Sequence, residues 1–144
     1  MDELDEFCQG LQEDMDRRVE EQYGREIAEV WKNLKYFNVL ERGDGEGKVT
    51  GVCNDTVEVF IQVAEGRIKK ISFWTDGCVP TAVCGSAVCE MALGKTLEEA
   101  EKISGEDVLK RFPKMPEDHK HCAYLAVNTL HEAIGDYYKR NSGK

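Results

Sequence analysis

The sequence predicts an α+β domain: a three-stranded antiparallel sheet with helices packed on one face, preceded by an acidic N-terminal helix. Three observations predict it. Val57, Val59, Ile61 and Val63 alternate with Thr56, Glu58, Phe60 and Gln62, the period-2 pattern of a half-buried strand. Ile68 to Thr75 alternates again, with Ile71 and Phe73 on one face, and the short turn Ala64-Glu65-Gly66-Arg67 makes the pair an antiparallel hairpin. Everything after Asp76 reads as helix, and strands followed by helices place those helices on a single sheet face.

The elements follow in chain order. Residues 2–23 form a helix, because Leu4, Cys8, Leu11, Met15 and Val19 recur at spacings of three and four on a charged background. Gly24 interrupts it, and Ile27, Val30, Trp31 and Leu34 mark a second helical piece. Arg42-Gly43-Asp44-Gly45-Glu46-Gly47 reads as a loop, since its glycines break helix and strand alike. A first strand is expected from about Lys48 to Cys53. Pro80 suits a first helical turn and opens a small-residue helix that Gly94 stops near Leu93. Thr96-x-x-Glu99 and Ser104-x-x-Asp107 are capping-box patterns. Pro113 and Pro116 bracket a loop. A last helix is expected over about 117–139, with Cys122, Leu125, Ala126, Leu130, Ala133, Ile134 and Tyr137 as its apolar stripe.

Charge divides the chain unequally. Of the net −9, residues 1–26 hold −7 (ten acids against three arginines), leaving −2 for the other 118 residues. An acidic chain without a basic stripe is poorly suited to nucleic acid, where phosphate neutralisation supplies most of the affinity, or to an anionic membrane surface. No apolar run approaches the ~20 residues of a membrane span. The acidic start Met1-Asp2-Glu3-Leu4-Asp5-Glu6 is unlike a secretion or transit signal, so a cytoplasmic protein is expected.

Six cysteines stand out in such a chain: Cys8, Cys53, Cys78, Cys84, Cys89 and Cys122. In a reducing compartment they point to metal or redox chemistry, although free cysteine also serves as a small buried hydrophobe. Three lie at predicted element ends beside further polar groups: Cys53-Asn54-Asp55, Gly77-Cys78 and His121-Cys122. Side chains from such ends can converge. Thiolates select zinc or iron–sulfur clusters over hard cations, and histidine or carboxylate can replace one thiolate. Helix N-termini at Cys78 and Cys122 are expected to favour the thiolates. The plainer reading makes Cys53 a buried strand residue, Cys122 a stripe residue, His121 a surface residue and Asp55 a turn cap. Cys84 and Cys89, five residues apart and ~140° around a helix, do not share a ligand site and are read as packing.

From Tyr23 to the C-terminus the sequence resembles the NifU/IscU family of iron–sulfur cluster assembly scaffolds. Cys53-Asn54-Asp55 matches that family's C-G-D motif, Gly77-Cys78 its G-C motif, Gly94-Lys95-Thr96 its G-K-T and His121-Cys122 its H-C. The resemblance implies that Cys53, Cys78 and Cys122 hold a 2Fe–2S cluster, with Asp55 or His121 as fourth partner. It also implies sulfur from a cysteine desulfurase, delivery to recipient apo-proteins, and zinc as an alternative occupant of the same site. Such a scaffold turns over no substrate. The boundaries are then an acidic helical extension over 1–22 and the scaffold domain over 23–144. Three departures carry weight. Asn54 replaces the motif glycine and is the tolerated second choice for a left-handed backbone. Val79-Pro80-Thr81 replaces small residues. Pro116-Glu117-Asp118-His119 is a degraded form of the family's chaperone-docking motif, with His119 where lysine stands, which argues against a dedicated chaperone partner. The competing function is a zinc-dependent sulfur acceptor that stimulates a desulfurase. A hydrolytic zinc enzyme is disfavoured, because three thiolates already donate charge to the metal and weaken it as a Lewis acid.

Overall fold

The computed structural model describes residues 2–40, 43–52 and 54–142. Helices α1 (Glu3–Tyr23) and α2 (Arg25–Lys32) precede strands β1 (Gly45–Thr50), β2 (Thr56–Ala64) and β3 (Arg67–Thr75). Then come α3 (Val79–Ala92), α4 (Leu97–Glu101), α5 (Gly105–Arg111), a 3₁₀ turn (Glu117–His119) and α6 (His121–Asn141). The strands form one antiparallel sheet in the order β1-β2-β3.

The hairpin forms where the alternation placed it. Its register pairs Val57 with Thr75, Val59 with Phe73 and Ile61 with Ile71, so the β-branched and aromatic side chains share one face. Glu65 (φ 56°) and Gly66 (φ 75°) both take left-handed backbone at the turn, the two-residue geometry that matches strand twist. Val57, Val59, Ile61, Ile68 and Phe73 are buried in one core with Val83 and Val88 of α3 and Leu130 and Ile134 of α6. Both expected capping boxes close: Thr96 and Glu99 start α4, Ser104 and Asp107 start α5. Positive φ at Gly94 ends the run after α3.

Two boundaries differ from expectation. The first strand begins at Gly45 and ends at Thr50, three residues earlier than the sequence suggests at either end. The glycines expected to break it are needed inside it, because α6 lies against this strand. A Cβ on Gly47 would collide with the Thr129 carbonyl and stand 2.6 Å from the Ala133 nitrogen. The expected strand end, Cys53, lies outside the described residues, as do Glu41 and Arg42 of the expected loop. The last helix also begins later. Residues 117–119 form a separate 3₁₀ turn after Pro116, and α6 opens at His121, so the His-Cys pair stands at its first turn.

Among the described residues no helix is long and apolar enough to cross a membrane. α1 stands apart from the rest: none of its residues is buried, and its expected boundary with the domain falls in its last turn.

Candidate metal centre

Three junctions meet at one end of the sheet. The first is the turn between β1 and β2. The Asn54 amide donates to the Gly51 carbonyl (3.0 Å) and the Gly51 amide to the Asp55 carbonyl (2.9 Å). Asn54 sits at φ 64°, the left-handed backbone that explains asparagine in place of the motif glycine. The second junction joins β3 to α3. Asp76 Oδ1 accepts from the Thr56 amide (2.8 Å), and Thr75 Oγ1 donates to the Thr56 carbonyl (2.7 Å), which pins this junction to the start of β2. The strand-start amide is thus satisfied by Asp76, and the Asp55 side chain turns elsewhere. The third junction is the 3₁₀ turn leading into α6.

Cys78 is the N-cap residue of α3, yet its sulfur makes no capping bond. Its Sγ lies 3.9 Å from Asp55 Oδ2 and 3.5 Å from Thr81 Oγ1. Gly77 makes room for this approach, since a Cβ there would come within 2.9 Å of Asp55 Oδ2 and 3.0 Å of Thr81 Cβ. Cys122, fully buried in the first turn of α6, places its Sγ 3.3 Å from the same Thr81 oxygen and 3.8 Å from His121 Nε2. Thr81 donates to Asp55 Oδ2 (3.0 Å). The Thr81 hydroxyl thus lies within hydrogen-bonding distance of both sulfurs as well as the carboxylate. It is the hub that links carboxylate, exposed thiol and buried thiol.

The ligand atoms of Cys78, His119 and Cys122 lie within 4.8 Å of one another. His119 is the group that sequence reasoning missed. The Tyr23 ring packs edge-on against it at 5.9 Å, and it stacks on His121 at 6.5 Å with 26° between the planes. Two clues in the sequence pointed there: the second histidine of His119-Lys120-His121, and Pro116, which delays the helix so that His119 turns toward the thiols. Thr81 was noted only as a departure from the family pattern.

Electrostatics follows burial. Desolvation pushes the Cys122 thiol up to about 11; the Thr81 hydrogen bond opposes this, and Cys78 and Asp55 add to it. The expected helix-favoured thiolate is therefore not the resting form of Cys122, and a metal bound there displaces a proton. Burial also raises the Cys84 thiol, with smaller contributions from Cys122 and Cys78. Cys89 is raised by burial alone. Both are fully buried within α3, as expected for packing residues, while Cys8 is exposed on α1. Of the five site residues expected from sequence, Asp55, Cys78, His121 and Cys122 converge here, and Cys53 lies outside the described residues.

Comparison with known proteins adds to this geometry. The family model described as "NifU-like N terminal domain" matches residues 22–144. The chain belongs to that family. A curated relative from Archaeoglobus fulgidus, "Iron-sulfur cluster assembly scaffold protein IscU 1", is 36% identical over 120 residues, covering 83% of this chain and 78% of its own. The Escherichia coli K12 "Iron-sulfur cluster assembly scaffold protein IscU" is 29% identical over 127 residues, covering 85% and 98%. Among solved structures, a NifU-like N-terminal protein from Brucella abortus superposes with a TM-score of 0.69 at 16% identity, covering 85% of this chain and 98% of its own. That identity supports the fold alone. The NifU-like match begins at Gln22, so α1 lies almost wholly outside the family domain.

Proposed function

We propose that this NifU-like chain is a scaffold on which a 2Fe–2S cluster is assembled and handed to apo-proteins. The single observation that carries the reading is the convergence of Cys78, His119 and Cys122 within 4.8 Å, with the Asp55 carboxylate 3.9 Å from the Cys78 sulfur. The cluster is cargo: Cys53, Cys78 and Cys122 supply the soft donors, and the fourth place is contested by Asp55, His119 and His121. Asp55 is the hard donor of a soft set, hence the bond that yields first on release. Sulfur comes from a cysteine desulfurase, no substrate is turned over, and the setting is cytoplasmic. The 36% identical Archaeoglobus scaffold and the family match support the same reading.

A second reading is favoured by the closeness of the donors. Ligands on one tetrahedral zinc, with bonds of ~2.3 Å to sulfur, stand ~3.8 Å apart. Cys78, His119 and Cys122 approach that spacing, so zinc fits the centre as folded and supports the zinc-dependent sulfur acceptor. One experiment separates the readings: anaerobic reconstitution with iron and sulfide, followed by absorption spectra and metal analysis. Visible charge-transfer bands with equal iron and sulfide support the scaffold. Zinc that iron fails to displace, with persulfide forming on the protein, supports the acceptor.

A further inference from the structure

α1 is a helix without a place in the core. Its 21 residues include no buried one, and Leu4, Phe7, Leu11 and Met15 are 67%, 63%, 48% and 51% exposed. At 100° per residue these side chains share a stripe about 80° wide, bordered by Glu3 and Asp14 on one side and Asp5 and Asp16 on the other. Burying such a stripe is what ordinarily holds a helix together, because propensity alone leaves a helix of this length marginal. Gly10, with open space around it, lowers that propensity further. Glu20 and Glu21 stand in the last turn, which carries no basic residue and where the helix dipole is already negative. The sequence therefore keeps an apolar face and a concentrated negative charge at the expense of the helix's own stability.

We propose that α1 is a docking arm for a protein partner whose surface offers an apolar groove rimmed by lysine and arginine. Charge selects this occupant over a second copy of the chain. Residues 3–23 carry eight acids and two arginines, so pairing two α1 helices would bring −6 against −6. A basic rim instead meets acids on both borders of the stripe, as when an amphipathic helix lies in a groove. The arm is also rooted at the metal centre. Its last residue, Tyr23, packs on His119, and Met15 is eight residues, ~12 Å along the axis, from that contact. A partner gripped by α1 is held beside the Cys78–His119–Cys122 group. The docking surface does not depend on which cargo the centre carries.

The test uses the full chain and a designed helical peptide with leucine at the seam and lysine at the flanking positions, beside a matched peptide with glutamate in place of lysine. The lysine peptide is expected to bind, more weakly as salt rises, and the glutamate peptide to bind at least tenfold less tightly. Leu11→Asp should weaken binding of the lysine peptide by about tenfold or more, and Asp14→Lys with Asp16→Lys should do so without touching the stripe. Circular dichroism and an unchanged iron and sulfide content establish that each variant is folded. Equal binding of both peptides, or full binding by the Leu11→Asp chain, overturns the proposal. So does concentration-dependent dimerisation of the unliganded chain at physiological salt that Leu11→Asp abolishes, which would make the occupant a second copy. Binding of α1 to neutral lipid vesicles with no affinity for the lysine peptide would assign the stripe to a membrane surface and overturn it equally.

Discussion

α1 and α6 are both 21 residues long, and both carry apolar residues at spacings of three and four, yet α6 buries nine residues and α1 buries none. The difference lies in what surrounds each stripe and what is shaped to receive it. From Cys122 to Leu130, α6 has no charged residue, and its alanines let it lie against β1, whose Gly45 and Gly47 leave space for the α6 backbone. α1 has acids beside its stripe, and no described part of the chain closes over it. Amphipathicity makes a helix able to dock; only a complementary surface makes it part of a fold.

The largest contrast should appear in the cysteines. Cys78→Ser is expected to lose nearly all bound iron and sulfide after anaerobic reconstitution, while Cys8→Ser on α1 keeps the full content. Cys89→Ser, inside α3, should also keep it, provided the fold holds. Loss in Cys8→Ser would make α1 part of the centre and dissolve the contrast.

Stability should divide the same way. Leu130→Ala removes a fully buried side chain of α6 and should cost about 2–5 kcal/mol in urea unfolding. Leu11→Ala on α1 should stay within about 0.5 kcal/mol. Equal losses would mean that α1 is packed in solution. The same logic reaches the centre through Thr81. It is fully buried at the meeting of α3 and α6, and its hydroxyl ties both thiols to Asp55. Thr81→Val keeps the volume and removes the hub, so zinc affinity measured by chelator competition should fall about 10- to 100-fold, the usual effect of removing a group that orients ligands. Unchanged affinity would show that the sulfurs are held by packing alone.

The parts legible in the sequence were those whose cause is local. Alternation from Thr56 to Thr75 wrote the hairpin, and four residues sufficed for each capping box. The resemblance brought Asp55, Cys78, His121 and Cys122 to one end of the sheet on paper, and they meet there. What stayed hidden was set by distant chain. Gly45 and Gly47 look like breakers until α6, more than eighty residues later, lies across them. His119 looks like a substituted surface residue until Tyr23 packs against it from the other end of the chain. The Cys122 thiol looks like a helix-end thiolate until its complete burial outweighs the dipole.

The smallest expected effect sharpens the comparison most. We take 23–144 as the folding unit and 1–22 as an appendage, so a chain starting at Tyr23 should fold and reconstitute as the full chain does. The reason is that α1 contributes no buried residue, whereas Tyr23 packs at the edge of the core and against His119. Deleting exposed helix costs little contact energy and removes a net −7 carried by residues 2–22, so self-repulsion falls slightly. The two small effects oppose each other, and the midpoint of thermal unfolding should move by less than about 3 °C, the shift that a change near 0.5–1 kcal/mol produces in a domain of this size. Iron and sulfide content should be unchanged. Tyr23→Ala in the full chain is the companion measurement, because it removes the edge-on ring from His119 while leaving the rest of α1 in place. If the appendage reading holds, Tyr23→Ala weakens zinc retention more than deletion of all 22 preceding residues does. The reverse order would show that α1 braces the centre along its length, and the boundary would have to move to the start of the chain.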